Sequence, residues 1–99
     1  MNLDHVAVNV RDIKISIEWY KSNLGALIEY QDESWAILNC CGTKIALTVS
    51  RQHPPHIGFC VENLKDIPGE PKYHRDGSAY VYDEDPDGNV IEYVYWPEK

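Results

Sequence analysis

Apolar and polar residues alternate from Leu3 to Val10, which predicts a strand at residues 3–10. Leu3, His5, Ala7 and Asn9 then share one face, and Asp4, Val6, Val8 and Val10 the other. The period changes at Asp12, a suitable helix N-cap. Ile13, Ile17, Tyr20, Lys21 and Leu24 follow at helical spacing, and Gly25 is placed to end the helix. Three short strands are predicted at 26–31, 34–39 and 43–49, joined by Gln31-Asp32-Glu33 and Cys41-Gly42. The first unit is therefore β-α-β-β-β. His53-Pro54-Pro55 interrupts the chain, and a strand restarts at His56. Asn63 opens a helical turn that Pro68, Gly69 and Pro71 cut short. Strand patterns at 72–74, 78–82 and 89–95 complete the series, before Trp96-Pro97. Trp19 and Trp35 are expected to pack in the core or between helix and sheet.

The halves repeat one another. His5 to Val10 matches His56 to Val61, and Arg11-Asp12-Ile13 echoes Lys65-Asp66-Ile67. Asp32 to Leu38 resembles Asp76 to Tyr82, and Gly42 to Leu47 lines up with Gly88 to Tyr93. The expected organisation is one domain, 1–99, made of repeats 1–51 and 52–99, the second with a truncated helix. The fold class is α+β: two βαβββ modules in a cupped, partly open mixed sheet around a cleft.

Composition narrows the function. With 99 residues, 43% of them hydrophobic and 25% charged, the chain has an ordinary globular make-up. The net charge of -7 argues against nucleic acid and anionic membranes as partners. A small molecule, an anionic one included, remains open. No apolar run reaches spanning length and no export signal is evident, so a cytoplasmic protein is expected. Cys40, Cys41 and Cys60 form neither a paired set nor a CxxC motif, and read as reduced thiols.

Asp85-Pro86-Asp87-Gly88 is a turn feeding a strand from Val90 to Val94, with Glu92 in its middle. An unpaired carboxylate there costs several kcal/mol, so a cation, a proton or a metal must compensate it. His5 and His56 occupy equivalent positions in the two repeats, and small residues (Ala7, Gly58) stand beside both. Two imidazoles and one carboxylate on neighbouring strands make a facial set for one divalent metal. Fe(II) is the first candidate, with Mn(II), Ni(II) or Zn(II) as alternatives.

His5 in the opening strand, His56 to Val61 and the closing Asp85 to Glu92 segment together resemble the vicinal oxygen chelate superfamily. That group includes glyoxalase I, fosfomycin- and bleomycin-resistance proteins and extradiol ring-cleavage dioxygenases. The resemblance covers the chain except the shortened helix, and it implies metal ligands His5, His56 and Glu92. Glyoxalase I has a fourth ligand, a glutamate, where this chain has Ala46. The fosfomycin type requires cations, of which only Lys99 follows Glu92. Bleomycin-resistance proteins, acidic dimers that sequester a drug, lack the triad. The extradiol pattern of a His, a Tyr and Asp-Pro-x-Gly before the ligand Glu matches His74, Tyr82, Asp85 to Gly88 and Glu92. It implies catalytic roles for His74 and Tyr82 and a catechol-like substrate. Lys72 departs from that pattern, and His53 matches the family's further acid/base histidine only loosely. A sequestering protein, a glyoxalase-like lyase and a thiol transferase are the alternatives, and a homodimer is expected.

Overall fold

A computed structural model describes residues 1–49 and 53–97. The expected repeat boundary at 51/52 and Lys99 lie outside the described residues. The fold is α+β: the described residues form one helix and eight strands in mixed parallel and antiparallel pairing. It divides into two compact units, His5–Pro55 and Met1–Asp4 with His56–Lys99, so the first strand contributes to both.

In the first unit, β1 (Asn2–Asn9) is followed by α1 (Ile13–Leu24), β2 (Leu27–Gln31), β3 (Trp35–Cys40) and β4 (Thr43–Thr48). The strands lie in the order β2-β3-β4-β1, antiparallel except for the parallel β1–β4 pair. The helix begins where Asp12 accepts the Ile15 amide at 2.9 Å and ends where Gly25 turns left-handed at φ 65°. Ile13 and Ile17 bury against Ala36, Leu38, Cys40 and Leu47, and fully burying Leu38 and Leu47 contributes about 1.5–3 kcal/mol each. Trp19 departs from expectation, since it stands 56% exposed. Two positions past Ile17 is ~200° around a helix, which turns its ring away from the buried stripe. Replacing Asp12 by Ala leaves an amide of the first turn unsatisfied. The expected cost is about 1 kcal/mol, read as a drop in melting temperature of roughly 4–8 °C.

The second unit runs β5 (His56–Cys60), a single 3-10 turn (Leu64–Asp66), β6 (Lys72–Tyr73), β7 (Ala79–Glu84) and β8 (Val90–Tyr95). Its strands order β5-β8-β7-β6, with β5–β8 parallel. Val61, Ile67 and Ala79 make its core, with Val81, Tyr93 and Tyr95 against them. The 3-10 turn replaces the helix, as the prolines predict.

The two units carry the same construction. Asp32 Oδ1 accepts from the Ser34 amide at 2.8 Å and its hydroxyl at 3.1 Å; Asp76 Oδ1 holds Ser78 likewise at 2.8 and 2.7 Å. In the parallel pairs, Ala7 faces Ala46 and Gly58 faces Glu92, which matches His5 with His56 and Ala46 with Glu92. Strand pairing corrects one expected alignment. Ile37 pairs with Ala46 whereas Tyr82 pairs with Glu92, so Tyr82 is the counterpart of Ile37, and Tyr80 that of Trp35. The second repeat has one more residue between the turn serine and the strand centre. A one-residue slip moves every side chain to the opposite face. The core face of β3 (Ala36, Leu38) therefore matches the face that carries Val81, not the one that carries Tyr80 and Tyr82.

Candidate functional site

Glu92 is 3% exposed, at the centre of β8. Side chains at paired positions share a face, so Gly58 on β5 and Tyr82 on β7 lie beside it. His56 is two residues before Gly58 and points the same way; it is also buried. Gly58, paired with Glu92, places no side chain beside the carboxylate. His56 Nε2 lies 3.4 Å from Glu92 Oε1, and His74 Nε2 lies 3.1 Å from Oε2. Against an ionised Glu92, whose oxygens only accept, His74 Nε2 is the donor in this contact.

His74 reaches that point through a tight corner. Its amide donates to Ser78 O at 2.9 Å, and the Gly77 amide donates to His74 O at 3.0 Å. The ring lies flat on Tyr80, with centroids 3.8 Å apart and planes 10° from parallel. Tyr80 meets Tyr82 edge-on at 5.4 Å, and Tyr82 stands 5.2 Å from the His56 ring. Glu92 is therefore flanked by two imidazoles, which are themselves lined by two phenols. Burial, then the Glu92 charge, then Tyr80 push the Tyr82 hydroxyl well above its ordinary pKa. Tyr82 therefore keeps its proton at physiological pH.

His5 lies in the other unit, half-buried on β1, and pairs with Lys44. It shares the face away from the Leu38–Leu47 core with Ala7, Asn9, Ala46 and Thr48, as the alternation predicts. Asn9 Oδ1 accepts from the Thr48 hydroxyl at 2.9 Å on that face. His53 is half-buried in the same unit. Cys40 is buried in the core, where its thiol is pushed up by burial, Cys41 sits exposed in the hairpin turn, and Cys60 is partly buried on β5. No helix among the described residues is long and apolar enough to cross a membrane.

The residues present fit a divalent metal. A buried carboxylate with imidazole nitrogen within 3.4 Å of it combines hard oxygen and borderline nitrogen donors, and the second carboxylate oxygen is held by another donor. The structure brings the expected His56, His74 and Tyr82 together around Glu92 and adds Tyr80, which the sequence reading did not single out. Strand alternation, which sets Tyr80 and Tyr82 on one face, was the signal for it.

This arrangement of paired parallel and antiparallel strands is the vicinal oxygen chelate fold. Methylmalonyl-CoA epimerase from Mycobacterium tuberculosis superimposes with a TM-score of 0.76 at 19% identity, over 98% of this chain and 89% of that one. A variant of the Streptomyces coelicolor methylmalonyl-CoA epimerase, in complex with 2-nitronate-propionyl-CoA, gives 0.72 at 16% identity, covering 99% of each chain. A glyoxalase/bleomycin resistance protein/dioxygenase superfamily member from Vibrio splendidus gives 0.70 at 14% identity, over 91% and 94%. No protein-family model and no curated protein matches the sequence.

Proposed function

We propose that the chain is a small divalent-metal-dependent enzyme acting on a substrate that chelates through two neighbouring oxygens. The observation that carries this reading is the buried Glu92, with His56 at one oxygen and a separate donor, His74, at the other. His5, the repeat counterpart of His56, is the third ligand, giving a set of residue types that can hold a metal ion. Three protein ligands leave positions for two substrate oxygens and a further reactant. A metal bound there supplies Lewis acidity and, if it is Fe(II), electron transfer with O2. Tyr82, which keeps its proton, donates a hydrogen bond to a substrate oxygen beside His56.

The finer form of the proposal is extradiol-type cleavage of a catechol-like ring with Fe(II), supported by the order of His74, Tyr82 and Glu92. The competing form is proton transfer on a CoA ester, favoured by the structural likeness to the epimerases. Ala46 weighs against it and against a glyoxalase-like lyase, since a four-ligand site would require a carboxylate there. The proposal includes a homodimer, because every residue of the edge strand β2 is exposed for a second copy to cover.

Protein reconstituted anaerobically with Fe(II) or Mn(II) is expected to hold one metal per chain. The Fe(II) form should then consume O2 with at least one member of a catechol panel. Absence of stoichiometric metal overturns the enzyme reading. Stoichiometric metal with no O2 uptake, but with epimerisation of methylmalonyl-CoA, replaces ring cleavage by the competing form.

A further inference from the structure

The resemblance implies a catalytic role for His74, yet its Nε2 is engaged by Glu92 Oε2 at 3.1 Å. Tyr80 supports the opposite side of the arrangement, its ring 3.8 Å from that of His74 and nearly parallel to it. The other unit contains a related ring pair, tilted by 39° rather than stacked. Tyr30, two residues before the turn aspartate Asp32 as His74 is before Asp76, lies against Trp35 at 4.8 Å. Trp35 is the counterpart of Tyr80 by strand pairing. In that unit the ring ends on the turn itself, Tyr30 donating to Asp32 Oδ2 at 2.6 Å, and the position matching Glu92 is Ala46. A ring-on-ring pair is thus part of each repeat's frame. In the second repeat alone, it carries a nitrogen donor that meets a carboxylate.

We infer that His74 and Tyr80 are a positioning pair, not a substrate-binding one: Tyr80 fixes the plane of the His74 ring, and His74 retains Glu92 Oε2 so that the metal is bound through Oε1 alone. The inference rests on the proposed metal site. Three features support it. The His74 backbone is held on both sides by the Asp76–Ser78 turn, so the ring has little freedom to swing out. The carboxylate is buried at the centre of β8, which strengthens its contact with His74. His56 meets Oε1 from β5, and His74 meets Oε2 from the turn after β6. Holding one oxygen keeps a coordination position open that a two-oxygen carboxylate would fill.

Co(II) tests this independently of turnover, through its affinity and its d–d absorption. His74→Phe keeps a ring to lie on Tyr80 and removes the donor. It is expected to weaken Co(II) binding by ~10–100-fold, the range for loss of a ligand's outer hydrogen bond. Its d–d bands should also lose intensity as Glu92 closes on the metal with both oxygens and the coordination number rises. His74→Gln, which restores an N–H donor, is expected to recover the wild-type spectrum. Tyr80→Ala should shift affinity and spectrum in the direction of His74→Phe, while Tyr80→Phe, which keeps the ring face, retains both. Wild-type affinity and spectrum in a folded His74→Phe protein overturn the positioning role alone. Failure of the wild-type protein to bind Co(II), or binding that survives Glu92→Ala, overturns the metal site and this inference with it.

Discussion

Glu92→Ala is expected to weaken divalent-metal binding by about a thousandfold, or roughly 4 kcal/mol, while the protein remains folded. The size follows from losing the one charged ligand in a buried setting, where a charge partner counts for ~3–5 kcal/mol. The fold survives because Glu92 points away from the Val61, Ile67 and Ala79 core. The metal-free melting temperature should therefore move by no more than ~1 kcal/mol corresponds to, about 4–8 °C. Glu92→Gln keeps shape and one acceptor oxygen, so its affinity should fall between the two. Isotherms with Zn(II) or Co(II), paired with thermal melts, separate ligand loss from unfolding. Metal affinity unchanged in folded Glu92→Ala protein removes Glu92 from the site.

Much of this could be read from the chain, because the informative signals are local. Asp12 and Gly25 mark the helix through backbone chemistry within one turn of each end. Pro68, Gly69 and Pro71 shorten the second helix wherever the segment packs. Strand alternation correctly set His5 with Ala7 and Asn9, and the parallel registers match Ala46 with Glu92. What escaped depended on long-range placement. His74 meets Glu92 only because the β6–β7 corner returns the chain to a strand eighteen positions away. An aromatic residue at position 80 fits core, surface or ring shelf equally well from its sequence neighbours. The repeat alignment slipped by one at Tyr80 and Tyr82 because the matching turns, Asp32 to Ser34 and Asp76 to Ser78, are more alike than the strands after them. Trp19 was misjudged for a simpler reason: size and hydrophobicity suggested burial, while its helical angle decided exposure.

Saturating metal is expected to raise the melting temperature of the wild-type protein by roughly 16–33 °C. Free metal at a thousand times its dissociation constant stabilises a folded-only site by about 4.1 kcal/mol, and a domain near this size shifts ~4–8 °C per kcal/mol. The proposed ligands favour the folded state strongly, since His5 and Glu92 stand near opposite ends of the chain and an unfolded chain rarely gathers them. His5 is the informative residue. It is half-buried on the face away from the first unit's core, so His5→Ala should leave the metal-free melting temperature within a few degrees. As a ligand, however, its loss should weaken binding by about a hundredfold, or ~2.7 kcal/mol, and at the same metal concentration remove more than half of the thermal shift. Differential scanning fluorimetry across a metal series reads both quantities from one set of curves. A full shift in His5→Ala would restrict the ligands to the second repeat, where His56 and Glu92 would hold the metal without the symmetry that the two opening strands suggest.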